Sequence, residues 1–142
     1  MSFVTIRAIT ENMRATLESL GLKFTVGAVD KDKATAASML PAGSISYEGE
    51  TFEPTHGERP GYSEAEFGIL VEMRTGDPAE AVREEQRWAH AVRTALSVDV
   101  LNAGGLAAGK SVSRVRIPKA SVVNNKESAS LVVKALVRYR VD

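Results

Sequence analysis

The stretch Ala65-Glu66-Phe67-Gly68-Ile69-Leu70-Val71-Glu72-Met73-Arg74-Thr75-Gly76-Asp77-Pro78-Ala79-Glu80 changes its hydrophobic period midway. Phe67, Ile69, Val71 and Met73 recur at every second residue, the spacing of a strand with one buried face. Asp77, Pro78 and Glu80 then form a helix start. The Asp77 carboxylate can accept from free amides of the first turn, Pro78 fits the first helical position, and Glu80 can complete a capping box. Ala81, Glu85, Trp88, Val92, Ala95 and Leu96 continue at helical spacing, flanked by Val82 and Ala89. A strand over 65–75 and a helix to about Ser97 are therefore predicted, joined by a short turn.

Toward the N-terminus, Ser44 to Glu53 reads as the partner strand. Strict alternation puts Ile45, Tyr47, Gly49, Thr51 and Glu53 on one face, and Ser46, Glu48, Glu50 and Phe52 on the other. Pro54 to Ser63 holds Pro54, Gly57, Pro60 and Gly61, which predicts a long hairpin loop and antiparallel pairing across it. Ile6, Ile9, Met13, Leu17 and Leu20 form one helical stripe, with Arg7, Glu11, Arg14 and Glu18 on the other side. The spacing predicts a helix over 3–20 with Gly21 as its C-terminal cap. Lys23 to Val29 reads as a short strand, and Ala34 to Leu40 as a short helical turn ended by Pro41 and Gly43.

Toward the C-terminus, Val98 to Ala103 fits a further helical turn or a strand. Ala103 to Lys110 is small and Gly-rich, hence a loop. Val112 to Val123 alternates Ser113, Val115 and Ile117 with Arg114 and Arg116, a strand demoted near its end by Pro118. Asn124-Asn125 signals a turn. Ser128 to Val141 sets Val133, Ala135, Val137, Tyr139 and Val141 against Lys134, Leu136, Arg138 and Arg140. The expected fold is α+β in order α-β-β-β-α-β-β. A single domain over 1–142 carries an antiparallel sheet packed on two main helices.

Composition excludes several classes. The chain has 142 residues, 44% hydrophobic and 25% charged, as in ordinary soluble domains. Lys plus Arg and Asp plus Glu number 18 each, so overall positive charge cannot recruit a polyanion, and the chain is no disordered charged tail. With no Cys, disulfide scaffolds, thiol nucleophiles and Cys-based zinc sites are out. No uncharged apolar run has the length of a signal-peptide core or a membrane span. Manufacture in a cytoplasm, with use there or in a particle assembled there, is the expectation, with no membrane contact.

The sharpest chemical motif is Gly104-Gly105-Leu106-Ala107-Ala108-Gly109-Lys110-Ser111, which satisfies the phosphate-cradling pattern G-x-x-x-x-G-K-S. That loop must open a helix whose N-terminal amides hold the phosphates. Here Val112, Ser113, Arg114, Val115, Arg116 and Ile117 follow, then Pro118, which is strand chemistry. A flexible connector is the better reading, with a small nucleotide-binding enzyme as the alternative. His90 has no ligand at helical spacing, and His56 has only Glu58 beside it, so no metal site is expected. No G-x-S-x-G motif occurs. Trp88 reads as a core anchor. No catalytic, cofactor-binding or metal-binding residue is expected.

Dividing the charge by segment is more informative. Residues 1–60 hold 6 basic and 8 acidic residues, residues 61–110 hold 5 and 8, and residues 111–142 hold 7 and 2. An acidic body thus precedes a basic terminal hairpin. Glu48, Glu50, Glu53, His56, Glu58, Arg59, Tyr62 and Glu64 on the first hairpin are candidate interface residues. On the second they are Arg114, Arg116, Lys134, Arg138 and Arg140. One reading is a self-complementary subunit, the basic hairpin of one copy facing the acidic hairpin of the next.

The order of elements resembles the tail terminator proteins of long-tailed bacteriophages over nearly the whole chain. The resemblance is carried by the amphipathic helix Ile6 to Leu20 and by Leu40-Pro41-Ala42 leading into the Tyr-containing strand Ile45 to Glu53. The long polar loop, Leu70-Val71-Glu72-Met73, the Pro78-led helix with Trp88 and the terminal strand Leu131 to Val141 complete it. The resemblance implies a structural virion protein without cofactor or catalysis. Such proteins form a ring, commonly a hexamer, on the head-proximal end of the tail tube. Implied partners are further copies of the chain, the tail tube protein and head–tail connector or neck proteins. DNA only passes through the lumen. The implied location is the virion neck, after assembly in the host cytoplasm. Another neck or head-completion protein shares this element order as an alternative.

Overall fold

A computed structural model describes residues 2–27, 41–53, 61–74, 77–102, 111–124 and 128–141. Helix α1 (Ser2–Glu18) buries its stripe completely at Ile9, Met13 and Leu17, with Ile6 and Leu20 packed at the margin. Each fully buried side chain of this kind stabilises by roughly 1.5–3 kcal/mol relative to exposure. Gly21 ends the helix at φ 96°, and its amide donates to the Glu18 carbonyl at 3.0 Å. That is the left-handed cap the sequence predicts. Strand β1 is shorter than expected, Phe24–Val26, and the helical turn expected at 34–40 lies outside the described residues.

Strand β2 is Ala42–Phe52 and β3 is Gly61–Arg74. Gly61, Tyr62 and Ser63, expected in the hairpin loop, are therefore strand residues. Ser63 pairs with both Phe52 and Tyr139. Helix α2 (Pro78–Ala95) starts as its sequence dictates: the Asp77 carboxylate accepts from the Ala79 amide at 3.0 Å, and Pro78 occupies the first turn. Ala81, Trp88 and Val92 form its buried stripe. The ambiguous segment after it is helical, α3 (Val98–Leu101), capped by the Ser97 hydroxyl accepting from the Val100 amide. Strands β4 (Val112–Asn124) and β5 (Ser128–Val141) complete the α+β fold.

The five strands lie in the order β1-β2-β3-β5-β4. One expectation needs correction: β1 pairs parallel with β2, while the other three pairings are antiparallel. Residues 27–41 separate the two strands, enough chain for the crossover that a parallel pair requires. Phe24 is laid against Gly43, where an added Cβ would stand 2.6 Å from its ring. Pro118 sits inside β4, which runs from Val112 to Asn124, close to the predicted 112–123. β4 is an edge strand, and its register shifts between Arg116 and Lys119, where a missing amide is tolerated.

One face of the sheet carries the core. Phe67, Ile69, Val71, Val133, Ala135 and Val137 are wholly buried in one cluster with residues of α1, α2 and α3. The strict alternation read for β2 fails at one point. A bulge between Tyr47 and Gly49, with Gly49 at φ 111°, inserts an extra residue. Beyond it, Glu50 and Phe52 continue the face of Ile45 and Tyr47, and Thr51 and Glu53 turn to the open face.

Candidate functional site

The face of the sheet away from the core gathers most of the predicted interface residues. Sheet order decides this: β3 lies beside β5, so the acidic hairpin and the basic hairpin are neighbours within one chain. Arg138 on β5 donates through Nε and Nη2 to the two Glu53 carboxylate oxygens, both at 3.0 Å. Its guanidinium also lies over the Tyr62 ring, 3.7 Å from the centroid, and donates to the Ser113 hydroxyl. Arg114 and Arg116 on β4 each reach Glu64 on β3 at 3.0 Å. Lys134 meets Glu66 at 3.4 Å. The Arg138 hydrogen bond holds the Glu53 carboxyl below the ordinary carboxylate range. The charges expected to match between copies are thus in large part matched within one.

Arg140 lies on this face, exposed, at the register position of Tyr62. Glu48 is exposed on β2 beside the bulge, its carboxylate 3.4 Å from the Ser46 hydroxyl. Glu50 is on the opposite face because of the bulge. There it accepts from three hydroxyls, those of Tyr47, Ser63 and Tyr139, each at 2.5 Å. Burial, and secondarily the Glu50 carboxylate, pushes the Tyr47 phenol up to about 12 and raises Tyr139 as well. His56, Glu58 and Arg59 lie outside the described residues.

Three features escaped the sequence reading. Phe52 is 72% exposed and Tyr47 is 52% exposed, although both lie on the face that carries the core. Glu85 is buried on α2, and its Oε2 has no hydrogen-bond partner among the described residues. Its place in the apolar stripe Ala81-Glu85-Trp88 was the signal. A groove of about 210 Å³ opens between α2 and β4, floored by Ile117, Ala120 and Val133 and rimmed by His90, Arg93 and Lys119. Pro118 was its signal, as a mark of an edge strand.

The nucleotide reading lacks its scaffold. The Gly104 to Lys110 segment lies outside the described residues, but the residues following Ser111 are strand β4 and not a helix. Among the described residues no three His, Asp or Glu are grouped to hold a metal ion, and no helix is long and apolar enough to cross a membrane.

Fold and open face together define a class: a small α+β protein with its described helices on one side of the sheet and, among the described residues, a charged face on the other. The sequence matches no protein-family model and no curated protein. Among solved structures it is similar to a chain of the "Virion of native gene transfer agent (GTA) particle". The TM-score is 0.54 at 16% identity, covering 94% of this chain and 92% of that chain. The likeness is one of fold, and it extends over almost all of both chains.

Proposed function

We propose that this chain is a structural subunit of a phage-type virion and, within it, a tail terminator. Copies form a ring, six in the reading that the family resemblance favours. The ring caps the tail tube, stops its polymerisation and offers the surface that head-side connector proteins join. DNA passes through the lumen, and the chain catalyses nothing. The observation that carries this reading is the fold match over nearly the whole chain to a component of a gene transfer agent virion. Fold alone does not make function, so the test is direct. Electron microscopy of the purified protein, concentrated or mixed with tail tube protein, is expected to show closed rings. Particles that stay monomeric even with tube protein present overturn the reading.

The same match supports a second position, because it is to a chain of a virion particle and gives no place within that particle. Antibody labelling of assembled particles separates the two: signal at the junction of tube and neck fits a terminator, and signal on the head side fits a head-completion subunit. Titration with ATP or GTP is expected to show no heat, since β4 stands where a phosphate-binding loop needs a helix.

A further inference from the structure

We propose that copies of this chain join head to tail through the opposite edges of the sheet, the β1–β2 edge of one copy lying antiparallel along β4 of the next. The proposal rests on the ring reading above and specifies its contact surface. Exposed apolar side chains point to it first. Val26, Tyr47 and Phe52 on β1 and β2 are 48%, 52% and 72% exposed, and Val122 and Val123 on β4 are 51% and 58% exposed. They account for five of the seven large hydrophobics exposed among the described residues. Apolar surface gathered at two opposite edges marks two halves of one contact.

Strand direction fits. β1 and β2 run one way, β3 the other, β5 with β2, and β4 against it. Rotating a copy about an axis along the strands preserves these directions. Its β1 therefore meets β4 antiparallel, and the helices of both copies stay on the same side. The contact is heterologous, and it closes into a ring when the rotation divides a full turn.

Register fits as well. Val26 is level with Ile45, Ile69, Val133 and Ala120, and Phe24 is level with Gly43, Val71, Leu131 and Val122. The three residues of β1 thus face the strip Ala120–Val122, which is exposed. Pro118 and the register shift beside it interrupt the edge just before that strip and blunt indiscriminate pairing there. The groove between α2 and β4 lies at the same level, on the core side of the sheet, and Val26 projects to that side. The incoming Val26 fills the groove over Ile117, Ala120 and Val133.

The charges left over agree. Lys119 on the β4 edge has no carboxylate in ion-pair range among the described residues, and Glu48 on the β2 edge has no cation. One sits on each edge, with opposite signs.

The chain contains no Cys, so a disulfide reports only what is introduced. The double variant Val26→Cys, Ala120→Cys is oxidised under the conditions of the ring experiment and run on a non-reducing gel. Antiparallel neighbours bring Cα atoms within disulfide range. A ladder of dimer, trimer and higher species is expected, with each single variant staying monomeric because its one thiol faces a residue without a thiol on the next copy. Rings without a ladder overturn the edge contact and leave the ring standing. A ladder that forms open filaments supports the contact and overturns closure. Neither rings nor ladder overturns both. Should the cysteine pair fail to fold, Lys119→Glu serves instead. It is expected to raise the concentration for half-assembly about tenfold, and Glu48→Lys in the same chain to restore it. No change in Lys119→Glu overturns the proposal.

Discussion

The two faces of this sheet are made by the same strands and held by different physics. On the covered face Phe67, Ile69, Val71, Val133 and Val137 are wholly buried, and the stabilisation is the removal of apolar area from water. On the open face Glu53, Glu64, Glu66, Arg114, Arg116, Lys134 and Arg138 form cross-strand pairs in solvent, and such pairs contribute little each. The open-face ladder has another use. Because side chains alternate, a slip of one residue in a strand would separate the pairs that strand makes and turn its own buried residues outward. The covered face supplies stability, and the open face records the register.

That contrast can be broken most sharply at Phe67. Phe67→Ala is expected to cost about 3–5 kcal/mol in denaturant unfolding, through lost burial plus the cavity left behind. A cost comparable to that of an open-face change would end the distinction. Next comes Glu50, an acid that the bulge turns to the core face of the sheet. Glu50→Ala leaves the hydroxyls of Tyr47, Ser63 and Tyr139 without their acceptor and is expected to cost about 1–3 kcal/mol.

The same cluster sets an alkaline limit. The folded state raises the tyrosine phenols, Tyr47 to about 12, against about 10 in an unfolded chain. A raised folded pKa stabilises fully below the unfolded value and fades as pH rises through the folded one. Stability should therefore fall between pH 10 and 12, with phenolate absorbance appearing late, and Tyr47→Phe should make the fall shallower. On the open face Arg114→Ala is expected to cost less than about 1 kcal/mol and to lose even that in high salt. The depressed Glu53 carboxyl works at the other end of the scale. Its contribution is present above the unfolded carboxylate value of about 4.3 and is lost as pH falls through the lower folded value. Arg138→Ala should shrink this acid limb, which acid unfolding of the two proteins compares directly.

Local signals in the sequence were reliable where one segment decides its own form. The stripe Ile9-Met13-Leu17, the Asp77-Pro78 start and the alternation of Phe67 to Met73 each emerged as read. Two kinds of information were not local. The bulge leaves Glu48 as one extra residue in β2, and a period-2 reading assumes an unbroken ladder, so Glu50 and Glu53 exchanged faces. The pairing of β3 with β5 joins segments separated by α2, α3 and β4, so segment charge sums showed opposite signs but not that they meet inside one chain. The candidate residues Glu53, Glu64, Arg114, Arg116, Lys134 and Arg138 share one face of the sheet. Their mutual pairing required the topology.

The place of β5 between β3 and β4 also governs timing. A ribosome delivers β4 before β5, yet β5 is the neighbour that holds β4 in the sheet. Until β5 emerges, β4 is a strand without a template, and the contacts that seat it span long sequence separations that form slowly. A half-made chain therefore has no ordered β4 edge to offer another copy. If copies join through this edge as proposed above, assembly would wait until synthesis of each subunit reaches β5.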